Sequence, residues 1–150
     1  MSLLEAPQDT QRKSHWLIWG AMLLVVVVGA MLWYGFRYYP EKRAVERFFD
    51  ALTAGDADRA YQLWQPGPNY KKEDFLAEWG PNGFYGPVKS YEIVSAEAPK
   101  HGGSGVIITV GISPYSPMPA TEDIEKSRRT REVRLWVEFS NKSIDFAPPI

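Results

Sequence analysis

Residues 41–64 read EKRAVERFFDALTAGDADRAYQLW, and the rest of the chain is best understood outward from them. Ala44, Val45, Phe48, Phe49 and Leu52 recur at helical spacing, and Glu41, Lys42, Glu46, Arg47 and Asp50 fall on the opposite side. That pattern predicts an amphipathic helix with one buried face. Gly55 follows as a C-cap, because glycine accepts the left-handed conformation that ends a helix. Asp56 then serves as an N-cap for a second helix, whose apolar face is Ala57, Ala60, Tyr61 and Trp64. Two helices joined by so short a turn must pack side by side against something else, so the nature of the flanking segments decides the fold.

Upstream, Trp16–Phe36 carries no charged residue. Its run of about 21 residues reaches roughly 31 Å as a helix, the thickness of a hydrocarbon core. Trp16 and Trp19 mark one end, and Trp33, Tyr34, Tyr38 and Tyr39 mark the other. Ring-bearing side chains at both ends suit the two membrane–water interfaces. A core helix apolar on every side would need a larger protein around it. A cleavable signal would need a shorter apolar run and small residues after it, where this chain has Trp33, Tyr34, Phe36 and Tyr38. The expected organisation is a tail over 1–15, a transmembrane helix over 16–36 and a soluble domain over 37–150. The partner implied first is the lipid bilayer. Arg12 and Lys13 precede the span, while Arg37, Lys42, Arg43 and Arg47 follow it. Counted alone, these charges place the domain in the cytoplasm. Because the later ones belong to the solvent face of the first domain helix, the reading adopted is a signal anchor with the domain extracytoplasmic.

Downstream, QPGPN at 65–69 is a break, and Asn69 is a candidate cap for a short third helix with Phe75, Leu76 and Trp79. Gly80, Pro81, Asn82 and Gly83 close it. After Pro87 the period changes to two. Tyr91, Ile93 and Ser95 alternate with Glu92, Val94 and Ala96. A KHGGSG turn leads to Val106, Ile108, Val110 and Ile112 on one face of a second strand. In a third strand Val133, Leu135, Val137 and Phe139 oppose Glu132, Arg134, Trp136 and Glu138. Asn141 and Lys142 turn into a last strand with Ile144 and Phe146. Three helices followed by about four antiparallel strands predict an α+β domain with a curved sheet packed on helices.

The segment AVERFFDALTAGDADRAYQLW resembles the opening of the NTF2-like (cystatin-like α+β) superfamily. The paired aromatics Phe48 and Phe49, the Gly55–Asp56 turn and the Ala60–Tyr61–Leu63 pattern carry the likeness. The resemblance implies a cone of helices on a curved sheet with a pocket between them. It implies no reaction, because that superfamily hosts enzymes, transport factors and assembly subunits. The layout of tail, span and NTF2-like domain is similar to that of assembly proteins in bacterial type IV secretion systems.

Composition narrows the chemistry. A net charge of −1 and a pI of about 6.1 supply no basic field, so nucleic acid is not an expected partner. The chain has no cysteine, which excludes disulfides, thiolate nucleophiles and thiolate metal sites. No His/Asp/Glu cluster has ligand spacing, and Gly102, Gly103 and Gly105 lack the Lys-Ser/Thr and helix of a phosphate loop. No cofactor is therefore expected. His15 precedes the span and His101 sits in the Gly-rich turn, so neither is placed for catalysis.

Tyr61, Trp64, Trp79 and Tyr91, with Asp145 beside them on the last strand, are the candidate lining of a pocket for an apolar ligand. The same aromatics also fit a small domain filling its core with large side chains. Trp136, an aromatic on a charged strand face, is the candidate interaction residue, for self-association or another membrane protein. The loop Thr121–Glu132 mixes both signs and allows a Glu122–Lys126 pair. The function expected is a membrane-anchored, non-enzymatic interaction or assembly module. The alternative is a small apolar-ligand binder or minor enzyme using the pocket.

Overall fold

The computed structural model describes residues 10–64, 67–117 and 131–148, with side chains from His15 onward. The loop expected to hold the Glu122–Lys126 pair lies outside the described residues, as do the side chains of Arg12 and Lys13. The chain divides into one unit ending at Arg37 and a second beginning at Tyr38.

The first unit is helix α1, Thr10–Phe36, which starts earlier than the apolar run because the polar residues before Trp16 continue the same hydrogen-bonded turns. It is long and apolar enough to cross a membrane. Its apolar side chains from Trp16 to Phe36 are all exposed, including Trp16, Trp19, Trp33 and Tyr34 at its ends.

The second unit is α+β: three helices and one four-stranded antiparallel sheet in the order β1-β2-β3-β4. Helix α2, Tyr39–Thr53, opens with Pro40 in its first turn, where the missing N–H has no helical partner to lose. It ends as predicted. Gly55 takes φ +77°, its N–H donates to Leu52 O, and the N–H of Asp56 donates to Ala51 O, which satisfies carbonyls the helix cannot reach. Asp56 then caps α3, Ala57–Trp64, by accepting the N–H of Arg59 at 3.0 Å. The cap of α4, Lys72–Trp79, differs from expectation. Lys71 occupies the position, and its N–H donates to Asp74 at 2.9 Å, so the helix starts after Asn69 with a carboxylate reaching back.

Strands β1 (Ser90–Glu97), β2 (Gly105–Ser113), β3 (Arg131–Glu138) and β4 (Ile144–Phe146) form a meander. Val106, Ile108, Val110 and Ile112 of β2, Val133, Leu135 and Val137 of β3, and Ile144 of β4 are buried, as period-two alternation requires. Cross-strand pairs Ile108–Leu135 and Val110–Val133 align these residues on one face. In β1 the alternation breaks. A bulge between Ile93 and Ser95 puts both Ile93 and Ala96 opposite buried β2 residues, Val110 and Ile108, and leaves Val94 exposed. Helices α2, α3 and α4 supply Val45, Phe48, Phe49, Ala60, Trp64, Phe75 and Trp79 to the same core.

Two residues near Tyr38 depart from the sequence pattern. Glu41, expected on the solvent face of α2, is buried and receives the Nζ of Lys142 at 2.7 Å. The same Nζ donates to Phe139 O at 2.6 Å. A buried carboxylate needs such a partner, because its desolvation is otherwise uncompensated. Phe139 was expected to continue the buried face of β3. It lies past the strand's end, is 40% exposed, and stacks on Tyr38 with ring centroids 6.3 Å apart.

Candidate functional site

Four of the five sequence-predicted lining residues, Tyr61, Trp64, Trp79 and Tyr91, belong to or border one aromatic cluster; Asp145 does not. Trp79 is the hub, with ring centroids of Phe48, Phe49, Trp64, Tyr85 and Phe146 between 4.9 and 5.9 Å away. Trp64 also meets Phe48 at 5.1 Å and Phe146 at 5.0 Å. Trp64 and Trp79 are buried, and Tyr61 and Tyr91 are half-buried at the margin. Most of these contacts are edge-on or tilted, the arrangement the ring quadrupole favours. Trp79 Nε1 is buried with no hydrogen-bond acceptor among the described residues.

The marginal tyrosines tie elements together through their hydroxyls. Tyr61 donates to Tyr70 O at 3.0 Å, and Tyr70 donates to Glu78 at 2.5 Å. Tyr91 stacks on Phe49 and donates to Asp50 at 2.6 Å, which fastens β1 to α2. Burial and the hydrogen bond to Glu78 push the Tyr70 phenol well above its ordinary value; burial and Asp50 do the same for Tyr91. A phenol that titrates higher folded than unfolded contributes stability that is fully present below its unfolded value of about 10, and loses it as the pH rises through the folded value. Urea unfolding of a fragment beginning at Tyr38 should therefore show stability falling above about pH 10. The double variant Tyr70→Phe, Tyr91→Phe should flatten that fall; an unchanged alkaline slope would refute the assignment.

Asp145 is not part of the aromatic cluster. It is exposed on the outer face of the sheet, opposite Trp136 in the β3–β4 register, because its neighbours Ile144 and Phe146 take the inward positions. Trp136 is on that outer face too, as its strand position predicted, but half-buried by its own chain. Its ring lies where side chains at Gly103 and Gly105 would stand, a Cβ at Gly105 coming within 2.6 Å of it. Its Nε1 donates to Glu138 at 3.2 Å. Glycine in strand β2 was the available signal, since it marks close approach by a neighbour.

One surface groove of about 350 Å³ borders the cluster, and no sequence signal pointed to it. Leu52, Phe75, Leu76, Trp79, Pro81 and Val88 line it, and Thr53 and Lys89 are the polar side chains present. Trp79 alone of the predicted lining residues reaches it. His101 is exposed in its turn. Among the described residues no group of three or more His, Asp or Glu is placed to hold a metal ion. No protein-family model, curated protein or solved structure matches this chain.

Proposed function

We propose that this chain is a single-pass membrane protein whose second unit is an NTF2-like interaction or assembly module, acting by binding other proteins rather than by catalysis. The observation that carries the reading is the contrast between the units. One is a helix with its whole apolar surface exposed, and the other has an interior filled by its own aromatic rings. An exposed apolar surface of that extent is stable only in contact with lipid or protein. The interior that could have held a ligand is occupied by Phe48, Trp64, Phe75 and Trp79. The adjoining groove lacks the convergent polar groups by which pockets orient a substrate. The order of three helices followed by antiparallel strands supports the NTF2-like likeness. Tethering confines the module near the bilayer and raises its effective concentration for membrane partners, a second copy of itself included.

The full chain should stay with membranes through alkaline carbonate washing, while the fragment beginning at Tyr38 should be soluble and folded. A reporter fused after Ile150 should signal from the extracytoplasmic side. Recovery of the uncleaved full chain in the soluble fraction would sink the anchor. A cytoplasmic reporter would show that Arg37, Lys42, Arg43 and Arg47 set the orientation.

A further inference from the structure

We propose that the turn between β3 and β4 is a second membrane contact, seating Phe139 in the headgroup layer beside the point where the chain leaves the span. The inference rests on the reading of α1 as a transmembrane helix. Tyr38 follows the span's last residue, Phe36, by two positions, so their Cα atoms are at most about 7.6 Å apart. The headgroup layer on each side is roughly 5–8 Å thick, which keeps Tyr38 at its level. Phe139, 101 positions later in sequence, stacks on Tyr38 at 6.3 Å with the rings 12° from parallel. Whatever direction the domain takes, Phe139 stays with Tyr38.

The patch has the composition of a membrane interface. Phe139 is 40% and Tyr39 46% exposed, which water disfavours for rings of this size. Each has a cation over it: Lys142 Nζ lies 6.0 Å from the Phe139 ring, and the Arg43 guanidinium lies 5.4 Å from the Tyr39 ring while donating to its hydroxyl at 3.0 Å. Aromatic bodies with polar tips and cations are what the acyl–headgroup boundary accepts. The turn is held at this position by the Glu41–Lys142 ion pair and the stack on Tyr38. The occupant of the patch is the lipid surface into which the span inserts, because the span and the patch are continuous along the chain.

The described chain and the remaining sequence contain no cysteine, so one introduced thiol carries a label uniquely. Ser140→Cys keeps Phe139 and is exposed. Ser116→Cys is exposed beyond the opposite end of the sheet, roughly 26 Å away along the length of β2. Val27→Cys marks the middle of the span. Each full-length variant would carry a polarity-sensitive fluorophore in vesicles of phosphatidylcholine and phosphatidylglycerol containing a lipid with a headgroup nitroxide. The label at 140 should be quenched roughly twofold or more above that at 116. Adding Phe139→Ser should bring it down to the level at 116, and Phe139→Trp should preserve it. Equal quenching at 140 and 116 overturns the proposal, as does quenching at 140 that ignores Phe139→Ser. A Val27 label reporting water removes the transmembrane reading itself, and the proposal with it.

Discussion

Leu135→Ala is expected to lower the unfolding free energy of the α+β unit by about 2–5 kcal/mol, while Trp136→Ala, one residue on, costs about 1–2 kcal/mol. Leu135 is fully buried on the face of β3 that meets the helices, paired with Ile108 across the sheet. Removing its isobutyl group leaves a cavity among Val106, Val133, Val137 and their neighbours, which cannot collapse without moving the sheet. A domain of this size has a total stability of roughly 5–15 kcal/mol, so the loss is a large fraction of it. Trp136 is larger but sits on the outer face, half-buried, with its ring over Gly103 and Gly105. A residue's volume alone would rank the two the other way. Urea unfolding of both variants in the fragment beginning at Tyr38 decides the matter. Equal costs would mean that Trp136 is core and that the strand's facing is wrong.

Trp79→Ala should be the most destabilising single change in the helical layer, at about 3–5 kcal/mol, and Trp79→Phe should cost only about 1–2 kcal/mol. The first figure follows from the five rings around the indole, all of which lose a packing partner. The second follows from Nε1: a phenyl ring keeps most of the packing and removes a buried donor that has no acceptor among the described residues. The functional reading rides on the result. If Trp79→Ala leaves stability within about 1 kcal/mol of wild type, the indole is the wall of a cavity and not its filling, which favours a small apolar ligand over an assembly role.

These expectations draw unequally on sequence and structure. The Phe48–Phe49 helix, the Gly55–Asp56 junction and the inward faces of β2 and β3 were legible because each depends on residues within one turn or one strand. The bulge in β1 was not. Tyr91 to Ala96 alternates cleanly on paper, and only pairing with β2 shows that Ile93 and Ala96 share a face. Glu41 was placed on the polar side of α2 by spacing, yet it is buried because Lys142, from the far end of the chain, reaches it. Asp145 was ambiguous in a strand of three residues, where alternation alone cannot say which face is inward.

For the candidate site, the sequence offered an aromatic set and left its use open between a filled core and a lined cavity. Ring-to-ring packing made the choice, since whether such large side chains leave a void depends on how their volumes interdigitate in three dimensions. The groove beside Leu76 and Val88 is likewise a product of how the end of α2, helix α4 and the segment before β1 meet.

By itself, the sequence determined that an apolar helix long enough to cross a membrane precedes an α+β unit, because hydropathy and periodicity are local properties carried by neighbouring residues. It also determined where α2 ends and α3 begins, because caps are contacts within a few residues. The tertiary structure alone decided that the aromatics close upon themselves, that Trp136 shields two glycines, and that the β3–β4 turn returns to Tyr38. Each of these joins residues tens of positions apart, and such partners are selected by the packing of the whole chain, not by any pattern along it.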